Sequence, residues 1–188
     1  MQQTILETIS EAASFIGENS KTDSQKSGVK LHKWTQKEYC QMAELGFFHG
    51  KRVELIEGEI IEISPMKTAH ATALGLITQI LTRIFSENFI VRAQMPMSFA
   101  KANEPEPDAA VVKGTFRDFM ISHPKTAEII VEVSDSTLRY DQTVKVSLYA
   151  QNKIREYWIL NLKNAVWKFI VNPKKITNSV LSIKKFKF

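Results

Sequence analysis

The sequence predicts an α/β fold, a central mixed β-sheet flanked by α-helices, and three stretches carry that prediction. Residues 52–63 alternate apolar and acidic side chains on either side of Glu57-Gly58, the pattern of a hairpin. Leu74, Ile77, Leu81, Ile84 and Phe85 recur at helical spacing. Residues 128–133 are nearly all apolar and β-branched, as a strand covered on both faces should be.

The elements follow in order. Residues 1–18 place Ile5, Ile9, Ala12, Ala13 and Ile16 on one side of an amphipathic helix, and the polar stretch 19–30 reads as a linker. Residues 1–30 are therefore an N-terminal extension, 31–171 the folded domain and 172–188 a basic tail. Thr35-Gln-Lys-Glu38 is a capping box, and Gly46 can close the short helix it starts. Beyond the hairpin, a helix of about four turns lies within 68–88. Residues 89–99 read as a strand, and 108–112 as a shorter one that follows Pro105 and Pro107. Residues 137–152 form a helix with Leu138, Val144, Leu148 and Tyr149 inward, and 156–160 and 166–171 are the last strands.

Composition narrows the class. The chain has 188 residues, 44% apolar and 24% charged, which fits one globular domain. No run reaches the roughly 18 apolar residues of a membrane span. The N-terminus lacks the basic and apolar regions of a signal peptide, and the one cysteine, Cys40, reads as a small buried or half-buried hydrophobe. A cytoplasmic location is expected. The net charge of +5 is unevenly spread. Every acidic residue precedes position 163, and the last 26 residues carry seven lysines. That leaves the body at −2, so a nucleic acid would be held by local lysines or by the tail.

Two acids stand out. Glu132 interrupts Ile129-Ile-Val-Glu-Val133, where a buried carboxylate is costly without compensation. Asp108 follows Pro107, which fixes the backbone before it. If their strands are neighbours, both carboxylates reach one sheet end, and a divalent cation such as Mg²⁺ or Mn²⁺ would resolve their repulsion. Each residue also has an ordinary reading. Asp108 alone is a turn residue, Glu132 a core ion pair or an edge position, and Glu54 the polar face of a hairpin. Lys145 follows Asp141 by four, the spacing of a surface pair. Ser134-Asp-Ser-Thr137 reads as an N-cap cluster for the helix after it, and His70 as a capping or surface residue.

Taken together, the order Glu…Pro-Asp…Glu-Val…Lys resembles the PD-(D/E)XK nuclease superfamily, and more specifically the Uma2 family. The residues that carry the resemblance are Val53-Glu-Leu-Ile-Glu-Gly-Glu-Ile-Ile-Glu-Ile-Ser-Pro65, His70, Glu106-Pro-Asp108, Ile130-Val-Glu-Val-Ser-Asp-Ser-Thr137, Asp141, Lys145 with Tyr149, and Glu156-Tyr-Trp-Ile159. The resemblance implies a restriction-endonuclease-like fold and a Mg²⁺- or Mn²⁺-dependent endonuclease acting on DNA. Asp108 would be the central metal ligand, with Glu132, the Val133 carbonyl and Glu54 as further ligands. The lysine usual two positions after the strand Glu is absent, since residue 134 is Ser, which implies that Lys145 on the next helix replaces it. Gln94 would support the site.

The short basic ending departs from the family pattern. It leaves open a non-catalytic DNA-binding or scaffold protein of the same fold, or a homodimer formed through an unpaired sheet edge. No DNA-reading module is visible, so a target sequence is not.

Overall fold

A computed structural model describes residues 30–100 and 102–171. The N-terminal helix expected at 1–18 and the basic tail lie outside those residues. Helix α1 (Gln36–Glu44) starts at the capping box. Thr35 Oγ1 accepts from the Glu38 N–H at 3.2 Å, and Glu38 Oε2 accepts from the Thr35 N–H at 2.8 Å. The helix closes at Gly46, whose φ is +83°. The Gly46 N–H donates to Ala43 and the Phe47 N–H to Met42, the two bonds of a Schellman closure.

Strands β1 (Val53–Ile56) and β2 (Glu59–Glu62) pair antiparallel. Glu57 and Gly58 both have positive φ, at 51° and 77°, which is the type I′ geometry that suits strand twist. The hairpin forms its own two-stranded sheet. A bridge from Leu55 to Glu104 ties it to the loop before the site.

The central sheet has five strands in the order β3 (Phe89–Ala93), β4 (Ala109–Lys113), β5 (Ile129–Ser134), β6 (Glu156–Asn161), β7 (Val166–Val171). β5 and β6 are parallel and every other neighbouring pair is antiparallel, so the sheet is mixed as expected. β5 is central, and all six of its residues are buried. Helix α2 (Thr68–Ile84) packs Leu74, Ile77 and Leu81 on one face, against Ala109, Val111, Ile129 and Val131. Burying each of those three side chains contributes roughly 1.5–3 kcal/mol. On the other face Leu148 and Tyr149 meet Ala110, Val112 and Ile130. They belong to helix α3 (138–151), which is α-helical over Leu138–Tyr140 and Val146–Gln151 and a π-turn over Asp141–Lys145.

The helix of about four turns expected within 68–88 is found over Thr68–Ile84. Two expectations are corrected. The strand predicted at 89–99 ends at Ala93, because Gln94 turns into the left-handed region at φ 49° and Pro96 lacks an N–H. Cys40 is exposed, on a helix that buries none of its residues. No helix of the described residues is long and apolar enough to cross a membrane.

Candidate active site

Asp108 and Glu132 meet because of strand register. Ala109 pairs with Val131 in the antiparallel β4–β5 ladder, so Asp108, one residue before β4, falls beside Glu132. Alternation puts Glu132 on the α3 side of the sheet, since Val131 and Val133 join the α2-side core. The Asp108 N–H donates to Glu132 Oε2 at 3.2 Å, and the Val133 N–H donates to Asp108 Oδ2 at 2.8 Å. Each carboxylate is thus held by backbone next to the other.

Lys145 enters from α3. Its Nζ lies 3.0 Å from Glu54 Oε2 and 3.1 Å from Glu132 Oε1. The surface pair with Asp141 allowed by the spacing is not formed, and Lys145 is only 5% exposed. Glu54, on β1, is 3% exposed and also accepts from the Glu106 N–H at 3.2 Å. The polar-face reading of Glu54 fails because three successive residues of β1 are buried, which leaves no solvent face for it. All four predicted residues therefore converge, and with Arg52 and His70 they line a cleft of about 260 Å³.

Three further groups belong to this centre. His70 Nε2 is 2.8 Å from Asp108 Oδ1, and Gln94 Nε2 donates to the same oxygen at 3.2 Å. The Tyr149 hydroxyl donates to Glu132 Oε1 at 2.7 Å. The capping reading of His70 is thus replaced. A signal for it was available, since His70 stands four residues before Leu74 on the inward stripe of α2. Tyr149 likewise follows Lys145 by four. The N-cap reading of 134–137 is corrected as well. Thr137 precedes the helix without a side-chain cap bond, and its hydroxyl and that of Ser134 donate to the Asp141 carboxylate instead.

The electrostatics follow from four carboxylates gathered around one lysine. Burial pushes Glu132 up and Lys145 pulls it back, while Asp108, Asp141 and Glu54 push it further, to about 8. Burial alone would lower Lys145, but Glu132, Glu54 and Asp141 hold its ammonium above the ordinary value. The lysine therefore stays charged, and a proton on Glu132 relieves the surplus negative charge. Burial would also raise Asp108, but the His70 contact and the Val133 and Gln94 donors outweigh it and keep the group below its usual value. Burial and then the Glu132 charge raise Tyr149, which leaves it a neutral donor.

The donor set fits a hard divalent cation. Mg²⁺ needs one or two carboxylates, keeps several waters, and prefers oxygen to nitrogen or sulfur. Asp108 and Glu132 supply those oxygens at the wall of a cleft with room for water, and with Glu132 ionised the charge they share with Glu54 and Asp141 exceeds what Lys145 balances. No group of three or more His, Cys, Asp or Glu forms a ready cage among the described residues.

The chain is similar to known proteins in sequence and in fold. Residues 36–174 match the Uma2 family, described as "Putative restriction endonuclease". The fold is similar to that of a solved protein from Anabaena variabilis ATCC 29413, described as "a putative nuclease belonging to DUF820". The TM-score is 0.56 at 11% identity, over 64% of this chain and 72% of that one. At that identity the likeness concerns the fold. Among curated proteins none matches.

Proposed function

The chain belongs to the Uma2 family, and from that premise we propose that it hydrolyses DNA phosphodiester bonds in a metal-dependent reaction. The observation that carries this reading is the abutment of Asp108 and Glu132 at one sheet end, with the Lys145 ammonium 3.1 Å from Glu132. Asp108 and Glu132 would hold Mg²⁺ or Mn²⁺, with the Val133 carbonyl and Glu54 as further oxygen donors. When bound, the ion supplies Lewis acidity and a lowered pKa for a nearby water.

The protein's own groups do the rest. In the overall reaction water adds to phosphorus, one P–O ester bond breaks, and the departing alkoxide takes up a proton. Lys145 is held protonated, so it acts first through charge and hydrogen bonding, next to the negative charge that grows on the phosphoryl oxygens. His70 and Gln94 fix the rotamer of Asp108, and Tyr149 fixes that of Glu132.

The test is cleavage of supercoiled, linear and single-stranded DNA with Mg²⁺ or Mn²⁺, wild type against Asp108→Ala. Cleavage lost in the variant is the expected result. A folded wild-type protein inert on every form would overturn the reading. A second reading, a binding or scaffold protein that keeps the fold, draws on one observation. All four oxygens of Asp108 and Glu132 already accept protein hydrogen bonds, as they would in a purely structural network. Calorimetric titration with Mn²⁺ separates the two, since the scaffold predicts no binding to either protein.

A further inference from the structure

Ser134 and Asp141 form a buried link whose geometry bears on how Lys145 reaches the centre. Ser134 lies two residues after Glu132 on β5 and therefore on the same face. It is the strand position where the superfamily pattern described above has its lysine. Ser134 is fully buried, and its hydroxyl donates to Asp141 Oδ2 at 2.5 Å. The Thr137 hydroxyl donates to the same oxygen at 2.7 Å. The buried Tyr157 hydroxyl, on β6, donates to the Asp141 backbone carbonyl at 3.1 Å. Asp141 is thus fixed to two neighbouring strands, by side chain and by main chain.

Asp141 is also the first residue of the π-turn, and Lys145 is the last. Such turns interrupt the α-helical ladder at a cost and cluster at functional sites. Here the wider turn keeps both charged side chains on the inward face, at 4% and 5% exposure. Fixing Asp141 fixes where the turn begins, and so the position from which the lysine stem reaches Glu54 and Glu132.

We propose that Ser134 and Asp141 are positioning residues: the serine at the vacated strand position anchors the π-turn that delivers Lys145. This deepens the nuclease reading and rests on it for its consequence for rate. The anchor itself is a matter of geometry and can be tested apart from activity.

Three variants make the test, Ser134→Ala, Ser134→Thr and Asp141→Ala, each with its melting temperature measured. With DNA and Mn²⁺, Ser134→Ala should lower kcat on the order of 10²-fold, the effect of a group displaced by about 1 Å, with KM unchanged. Ser134→Thr keeps the hydroxyl and should restore kcat to near wild type. In parallel, acylation of Lys145 by an amine-reactive ester is followed by mass spectrometry without DNA or metal. Lys145 should be protected in wild type and Ser134→Thr, and acylated at least severalfold faster in Ser134→Ala and in Asp141→Ala. Equal protection in Ser134→Ala and wild type would overturn the proposal, as would Ser134→Thr behaving like Ser134→Ala. If wild type cuts no DNA, the nuclease reading fails and the acylation result still decides the anchor. If Asp141→Ala does not fold, Ser134→Ala against Ser134→Thr decides alone.

Discussion

His70 Nε2 lies 2.8 Å from Asp108 Oδ1, although one residue is in the first turn of α2 and the other precedes β4. The Asp108 hydrogen bond raises the His70 pKa above 6.5; burial lowers it, and the Asp108 charge adds to the rise. In an NMR titration His70 should therefore titrate above 6.5 and move back down in Asp108→Asn. His123 is an internal contrast, since burial and then Arg92 hold it below 6.5. The stability His70 contributes is complete below 6.5 and is lost as pH rises through its raised value. A His70 midpoint indifferent to Asp108→Asn would mean that the pair does not form in solution.

Lys145 joins two carboxylates that have no other cation within bonding distance among the described residues. Removing it leaves buried negative charge unpaired, which typically costs about 3–5 kcal/mol. Urea denaturation of Lys145→Ala should show a loss of that order. Adding Glu54→Gln should return part of it, because the buried Glu54 carboxylate is then replaced by a neutral amide. A loss below about 1 kcal/mol, the range of surface pairs, would show that the centre is wetter than its burial implies.

Much of this was legible in the sequence, for physical reasons. The capping box, the Glu57-Gly58 turn and the apolar run of β5 are local signals, and each appears as read. The acid in that run was conspicuous because burying it is costly, and it is indeed buried, beside Asp108 and Lys145. What was not legible depended on long-range contact. Nothing near His70 in the chain announces Asp108, 38 residues away. Nor does a helical pattern reveal a π-turn, because the apolar residues around Asp141–Lys145 still fit a helix. Cys40 misled for a related reason: free cysteine is usually buried, but α1 is a surface helix.

The hairpin turn gives a simple stability test. Gly58 has φ +77°, and a Cβ there would stand 2.8 Å from Lys33 Cβ. The left-handed conformation alone costs a residue with a Cβ roughly 1–2 kcal/mol. Gly58→Ala should lose at least that in urea denaturation, since the Lys33 backbone is also close. Glu57 already tolerates φ +51°, so Glu57→Gly should be neutral or mildly stabilising. A Gly58→Ala protein as stable as wild type would mean that the turn adopts another type.

Glu132 sets the pH dependence of the metal-free protein. Its folded value is raised to about 8 from 4.5, by burial first and by the surrounding acids after the partial offset from Lys145. Between those two values the folded state holds a proton that the unfolded state has released. Stability must then fall as pH rises through that window, and its contribution is complete only below 4.5. Asp108 works in the opposite sense. Its lowered value gives stability that is present above 3.8 and lost as the pH drops through the lowered value. The melting temperature of the metal-free protein should therefore be higher at pH 5.5 than at pH 8, with His70 adding to the decline above 6.5. Glu132→Gln cannot ionise, so its slope over the same range should be shallower. A divalent cation that favours the charged carboxylate should displace the proton and raise the alkaline melting temperature most. Calorimetric scans across this range, with and without Mg²⁺ or Mn²⁺, check all three outcomes. A melting temperature that climbs from pH 5.5 to pH 8 without metal would show Glu132 to be ionised throughout, with Lys145 alone balancing it.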